Sequence, residues 1–389
     1  MAEVGGAPVI TSDERGSFAW SVLAERHPAL IQQVRDAFPY PPEQQRALDA
    51  LLEETQSGVV EALPGGAADA GVWASWGREH VGRSWFEVPF LWAESYFYRR
   101  LLDAVGFFGA GAWRGVDPFA PFKRGELGGA AVAEELAALD DVGGLGLDAR
   151  DQALLSGALW GNRADLGFRI SSGDPGEGED GRVIVDDSDA FWRHLADADR
   201  ATVCLIADNA GRELIPDLIL LDHLLHTGRA ETAVLHVKPY PYFVSDATTA
   251  DVIDCLRRIT EAPGRAGKIG GRLWDALTSG RLDVRSHPFS CAPLPYADMP
   301  GDLRGELARA TVTIAKGDLN YRRLVGDRRW PGTTPFDELT AYFPGPLLAL
   351  RTLKSEVAVG IEPLTLAALE ESGDAWRTSG THAVIQFRP

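Results

Sequence analysis

The sequence predicts an α/β protein: a Rossmann-like three-layer α/β/α domain with a mainly parallel sheet, preceded by an N-terminal, mainly helical lobe. Three observations predict it. From about residue 195 onward, short apolar runs alternate with amphipathic stretches, the pattern of a parallel sheet with helices on both faces. Before residue 165 the apolar residues recur at three- and four-residue spacing, which is helical periodicity. Between the two lies "DLGFRISSGDPGEGEDGRVIVDDSD", residues 165–189, whose Gly and Asp content reads as a surface loop with a short strand at "RVIV". The expected division is a helical lobe with its closing loop over 1–190 and an α/β domain over 191–389.

Each element has its own justification. "EQQRALDALLEETQSGVVEAL" (43–63) and "WFEVPFLWAESYFYRRLLDAVGFF" (85–108) carry the helical spacing. The second is dense in aromatics, as expected of a core helix packed on another lobe, with Glu94, Tyr96 and Arg99 as polar insertions. "ATVCLIA" (201–207) predicts a buried strand, followed by a helix to about 227. "TAVLHV" (232–237) predicts a second strand and "ATTADVIDCLRRITEA" (247–262) a helix. "RLDVRS" (281–286), "ATVTIA" (310–315) and "PLLALRT" (346–352) predict three more strands, with a helix over "LNYRRLV" (319–325) and a last strand at "THAVIQF" (381–387). Nothing repeats at a fixed period, which excludes a solenoid.

The totals exclude several functions. The net charge of −18 argues against nucleic-acid binding, which needs basic patches. No apolar run approaches the roughly 20 residues that span a bilayer, and "MAEVGGAPVITSDERGS" lacks the basic start and apolar core of a signal peptide, so the expected address is cytoplasmic. Cys204, Cys255 and Cys291 are too scattered for a disulfide framework or a zinc cluster. Oligomeric state is not legible. Five of the 38 basic residues are lysine: Lys123, Lys238, Lys268, Lys316 and Lys354. In a chain that otherwise writes arginine, these are candidate point-charge donors.

In open parallel sheets, ligands bind beyond the carboxyl ends of the strands. The unusual polar residues fall there. The first long strand ends in Asp208-Asn209, and Glu213 follows one turn into the next helix. After the second come Ser245 and Asp246. The fourth runs into Lys316-Gly317-Asp318-Leu319-Asn320-Tyr321-Arg322. The fifth ends at Arg351-Thr352, with Lys354 two residues on. Asp208, Asn209 and Asp246 offer hard oxygen donors suited to Mg²⁺ or Mn²⁺. Lys354, Arg322 and Lys316, with helix N-termini, offer groups for phosphate oxygens. Metal and cations on one rim read as phosphoryl chemistry. The bland alternative is that Asp208, Asp246 and Asp318 are helix caps. His223 and His226 sit in Leu-rich surroundings and read as core or surface residues. "VGGLGLD" (142–148) follows a helical stretch, not a strand, and is set aside as a nucleotide loop.

These blocks also resemble a known family. "LWGNRADL", "ADNAGRELIPDLILLDHLL", "KPYPYFVSDATT", "KGDLNYRRLVGDRRWPGTTPF" and "LLALRTLKSE" appear in the order of the signature blocks of the DUF89 metal-dependent damage-control phosphatases, in the ARMT1-like subfamily marked by Arg-Thr-x-Lys, here Arg351-Thr352-Leu353-Lys354. "WFEVPFLWAESYFYRRLL" and "DPFAPFK" are similar to its N-terminal blocks. The resemblance covers roughly residues 73–356. It implies a helical lobe on a Rossmann-like domain and a divalent metal, Mn²⁺, Mg²⁺, Co²⁺ or Ni²⁺, at Asp208, Asn209 and Asp246. It implies substrate contacts from Glu213, from Asp318, Leu319, Asn320, Tyr321 and Arg322, and from Lys354, and it places Asn162 and Asp165 near the cleft. The implied substrate is a small phosphorylated metabolite, notably a sugar phosphate such as fructose 1-phosphate. Two other readings follow from the same scaffold: S-adenosylmethionine-dependent methyl transfer to a glutamate carboxylate, and a biosynthetic or sugar-phosphate-binding role without hydrolysis. The attacking group is either water acidified by the ion or Asp208 itself, and Glu213 or Asp318 handles the proton.

Overall fold

The computed structural model describes residues 6–161 and 182–389. Among these residues seven strands form one sheet: β1 Arg182–Asp186, β2 Thr202–Ile206, β3 Thr232–Val237, β4 Leu282–Ser286, β5 Val312–Lys316, β6 Leu347–Thr352 and β7 His382–Arg388, in the order β1-β7-β6-β5-β2-β3-β4. From β6 across to β4 every pairing is parallel. β7 runs antiparallel to β6, and β1 lies at the edge, parallel to β7. The mainly parallel expectation holds. The order has a consequence for binding: from β2 the chain winds out to β3 and β4, then returns to place β5 on the other side of β2. The crevice between the carboxyl ends of β2 and β5 is therefore a topological switch point.

The strands read as continuous apolar runs because both faces are covered. Val203 and Leu205 of β2 pack into one core with helices Ala130–Val142, Leu147–Trp160, Leu214–Thr227, Thr249–Thr260 and Gly264–Thr278. Cys204 and Ile206, one residue out of step, pack into a second core with helix Gly317–Val325, Phe336 and Leu339. The strand period of two sends alternate side chains to opposite layers. A third core, rich in Trp, Tyr and Phe, belongs to the helical region and is centred on helix Phe90–Ala104.

The packing divides the chain earlier than the boundary expected at residue 190. Helices Ala130–Val142 and Leu147–Trp160 bury Val132, Leu136, Leu155 and Ala158 against the sheet, and β1 is part of that sheet. Their helical periodicity is the same whether the partner is another helix or a sheet, so the sequence pattern alone does not separate the two cases. Among the described residues no helix is long and apolar enough to cross a membrane.

Buried arginines join the helical region to the α/β body. Arg322, only 2% exposed, pairs with Glu94 at 2.8 Å and with Asp327 at 2.8 Å, and lies over the Phe90 ring. Burial pushes the Glu94 carboxyl up to about 7 against the opposing pull of Arg322. Arg323 donates to the carbonyls of Phe289, Ser290 and Leu294. Glu94, Tyr96 and Arg99 do not face a cleft: Tyr96 donates to the Glu61 carbonyl at 2.6 Å and Arg99 pairs with Asp69 at 2.7 Å. Arg322→Met leaves two carboxylates, Glu94 and Asp327, without their shared cation. It is expected to cost about 3–5 kcal/mol in urea denaturation, the range for breaking a buried ion pair.

Candidate active site

Four loops converge at the carboxyl ends of β2, β3, β5 and β6. The β2 and β3 loops are sewn together. Ala247 N–H donates to the Asp208 carbonyl at 2.8 Å and Ala210 N–H to the Ser245 carbonyl at 2.7 Å, forming an antiparallel bridge of Asn209 with Asp246. Ser245 Oγ donates to Asn209 Oδ1 at 2.6 Å, which leaves that amide oxygen its second lone pair. Asp208, Asn209 and Asp246 thus share one spot. None of the three acids considered as caps is one. Thr248 and Asp251 form the capping box of the helix after β3, Glu213 stands at the N-cap position of the helix after β2, and Lys316 holds that position before Asp318.

The β5 loop fits beneath Asp208 because residue 317 is glycine. Its φ is +84°, and a Cβ there would collide with the Asp208 carboxylate. The loop leads into helix Gly317–Val325, whose first-turn N–H groups face the crevice end of β5. From the β6 loop, Lys354 Nζ approaches Glu213 Oε1 at 3.4 Å. This lysine remains 44% exposed at its side chain, so it is available to a ligand.

The charges are unbalanced. Burial, then repulsion from Asp246 and Glu213, pushes the Asp208 carboxyl well above the usual carboxylate range. Asp246 is also raised by burial, against the pull of Lys238 and Lys123. Asp246 Oδ2 is buried without a hydrogen bond, with only Lys238 Nζ at 3.4 Å. Two buried carboxylates and a carboxamide oxygen, one carboxylate atom unsatisfied, fit a hard dication. Among the described residues no cluster of three or more His, Cys, Asp or Glu stands as a metal site; this set has two carboxylates, and its third donor is an amide.

The other named residues take structural places. Asp318 accepts from Arg351 Nε at 2.8 Å and Ser355 Oγ at 3.0 Å. Burial works against its ionisation, but Arg351 and Arg322 outweigh it and hold the carboxyl below its ordinary value. Arg351 is buried over the Tyr321 ring and also donates to the Val357 carbonyl, so it braces the β6 loop and does not face the crevice. Within the 318–322 block, Leu319 packs into the aromatic core, Asn320 Nδ2 donates to the Ala207 carbonyl at 3.1 Å, and Tyr321 OH donates to Gln386 at 2.7 Å. Arg322 is spent on Glu94 and Asp327. The expectation that these four side chains meet a ligand is corrected: all four are buried against other neighbours, while Asp318 stays 17% exposed at the start of the helix. Lys316 turns inward to Asp217 at 2.9 Å and the Ala158 carbonyl. Asn162 and Asp165 lie outside the described residues. His223 is a core residue bonded to Asp151 at 2.6 Å.

Three residues that sequence reasoning did not place at the site are there. Lys238 faces Asp246, Lys123 donates to the Asp246 carbonyl at 3.1 Å, and Glu126 reaches over Gly211, where a Cβ would come within 2.7 Å of its carboxylate. Burial and Glu213 push the Glu126 carboxyl up. The scarcity of lysine was the signal for the first two. Two other features carry no comparable chemistry. A cavity of about 290 Å³ opens at the far end of helix Leu214–Thr227, but Arg272 there already pairs with Asp222 and Arg281 donates to the Leu225 carbonyl. The Gly143–Gly146 turn joins two helices, with no strand before it to make a cofactor loop.

Gly317→Ala is expected to lower stability by about 1–3 kcal/mol in urea denaturation, from positive φ and the displaced carboxylate. Gly271→Ala, on an open helix face with nothing within 4 Å, is the control. It is expected to raise stability by about 0.5–1 kcal/mol.

Residues 22–365 match the family described as the damage-control phosphatase ARMT1-like domain. The damage-control phosphatase ARMT1 of Danio rerio is 30% identical over 437 residues, covering 96% of this chain and 95% of that protein. That of Mus musculus is 32% identical over 335 residues, covering 78% and 75%. A solved DUF89 family protein from Pyrococcus horikoshii superposes with a TM-score of 0.49 at 16% identity, covering 94% of this chain and 97% of that one. With a switch-point crevice carrying a hard-oxygen donor set and an open lysine, and with most of its length matched, the chain belongs to the ARMT1-like family of damage-control phosphatases.

Proposed function

We propose that the protein is a divalent-metal-dependent phosphatase of small phosphorylated metabolites, with sugar phosphates such as fructose 1-phosphate as the favoured class. The observation that carries this reading is the meeting of Asp208, Asn209 and Asp246 with Lys354 at one crevice. The family relatives, named as damage-control phosphatases, support it.

Asp208, Asn209 and Asp246 would hold the ion, Mn²⁺ or Mg²⁺, with Co²⁺ and Ni²⁺ suited to the same oxygens. When bound, it supplies charge neutralisation at phosphoryl oxygens and acidifies water. The protein's own groups do the rest. Lys354 meets the phosphate as a point charge at the open mouth. Burial opposes its protonation, but Glu213, Asp208 and Asp318 outweigh that and raise its affinity for the proton, so it is cationic at neutral pH. The N–H groups opening helix Gly317–Val325 add a partial positive charge of roughly half an electron where negative charge accumulates. Between the two candidate proton handlers, Asp318 is held ionised and committed to Arg351 and Ser355. Glu213, paired among the described residues with the partly exposed Lys354, is the better placed to take a proton from water or pass one to the leaving alkoxide. Both carboxylates of the donor set are crowded and buried, which favours water over Asp208 as the nucleophile.

The deciding experiment is phosphate release from a panel of phosphomonoesters, with and without each of the four ions. Release that needs a dication is expected, and metal-independent turnover overturns the reading. Asp208→Ala is expected to abolish metal binding in calorimetry and turnover together. Its melting temperature should hold or rise, because a repulsive pair has been removed. Lys354→Ala is expected to raise KM about 10- to 100-fold, the worth of a charge-assisted hydrogen bond of ~1.5–3 kcal/mol, with metal affinity unchanged or tighter.

A further inference from the structure

The loop that carries Asp246 is held in a conformation that L-residues avoid. Phe243 has φ +45° and Val244 φ +63°, and valine, branched at Cβ, is among the least suited residues to that region. Such a turn persists only when its surroundings over-determine it. Here part of the surroundings comes from the helical region, beside the backbone bonds that tie the loop to the end of β2. The Phe243 ring stacks on Tyr98 of helix Phe90–Ala104 at 4.7 Å and 26°, and Tyr242 lies 6.2 Å from the same ring. Tyr242 is fully buried in the aromatic core, and Val244 packs against it. Two residues past the turn, the Asp246 carbonyl accepts from Lys123 Nζ at 3.1 Å. Lys123 stands on helix Ala120–Leu127 and is itself fixed by Asp117 at 3.2 Å and Asp251 at 2.9 Å. Asp251 in turn closes the capping box of the helix that follows.

We infer that the helical region is part of the ion site although, among the described residues, it supplies no donor to it: the Tyr98 stack, the strained Phe243-Val244 turn and Lys123 act as positioning elements that set where Asp246 stands relative to Asp208. The inference rests on the metal reading above. It makes the turn at 243–244 a spacer whose shape, imposed from outside the α/β body, determines the grip on the ion.

The test is calorimetric titration of the metal-free full chain with Mn²⁺, alongside its thermal melt. Lys123→Met is the direct variant, but it strands Asp117 and Asp251. Tyr98→Leu is therefore the deciding one, because it removes the ring on which Phe243 stacks. It is expected to bind Mn²⁺ at least tenfold more weakly, while Val244→Gly, which keeps that stack and adopts φ +63° without strain, is expected to bind within twofold of wild type. Tyr98→Leu binding within twofold of wild type overturns the inference, whatever Lys123→Met does. Equal weakening in Val244→Gly also overturns it, because general loosening of the loop then accounts for both losses. A wild-type chain that binds none of Mn²⁺, Mg²⁺, Co²⁺ or Ni²⁺ is a distinct result and removes the metal reading itself.

Discussion

The crowding of carboxylates where β2 and β3 end is the constraint around which the rest of the site is arranged. Asp208 and Asp246 are buried, held close by the Asn209–Asp246 backbone bridge, and repel each other. Such a pair is costly unless positive charge is brought to it. The fold brings several charges from different directions. Lys238 comes from the end of β3, Lys123 from the helical region, and Lys354 from the β6 loop. Their distribution is unequal. Two are buried on the Asp246 side, while Lys354 sits at the mouth and shares itself with Glu213. Even so, both carboxyls stay raised and Asp246 Oδ2 keeps no hydrogen bond, so the pair is left short of positive charge for something that arrives.

This asymmetry also explains the lysine count. Arginine serves wherever a planar, permanently charged fork is needed to brace backbone: Arg322 on Glu94 and Asp327, Arg323 on three carbonyls, Arg351 on Asp318. Those braces surround the crevice without entering it. Lysine appears where a compact point charge is threaded among oxygens, as Lys123 is among the Asp246 carbonyl, Asp117 and Asp251. Of the five, only Lys268 is exposed and without such a place.

Much of this was legible in the sequence. The strands announced themselves as apolar runs because both faces of the sheet are covered. Asp208, Asn209 and Asp246 were found because polar residues at strand ends are conspicuous against those runs. The block from Asp318 to Arg322 misled for the opposite reason. Its charged and polar residues look like a ligand-facing set, but residues 319–325 are all buried, and each polar side chain among them satisfies a different neighbour. Periodicity cannot distinguish a helix that faces a ligand from one whose polar groups are consumed by the core. The contribution of Tyr98, Val244 and Lys123 was hidden more deeply, since it depends on backbone conformation and on contacts across more than a hundred residues. Likewise the packing of helices Ala130–Val142 and Leu147–Trp160 on the sheet was not legible, because a helix packed on a sheet and one packed on helices share a period.

The edge of the sheet carries its own implication for how the protein is made. Among the described residues β1 has a single neighbour, β7, and the pairing is reinforced by Asp187 accepting from Phe387 N–H at 2.9 Å, a contact spanning 200 residues of sequence. At synthesis rates of roughly 5–20 residues per second, β1 leaves the ribosome some ~10–40 s before its partner exists. Through that interval its hydrogen-bonding edge is open, and the slot beside β6 is empty. The nascent chain is thus obliged to wait for its final strand before the sheet is closed, and a chaperone that shields exposed edges has its natural moment there.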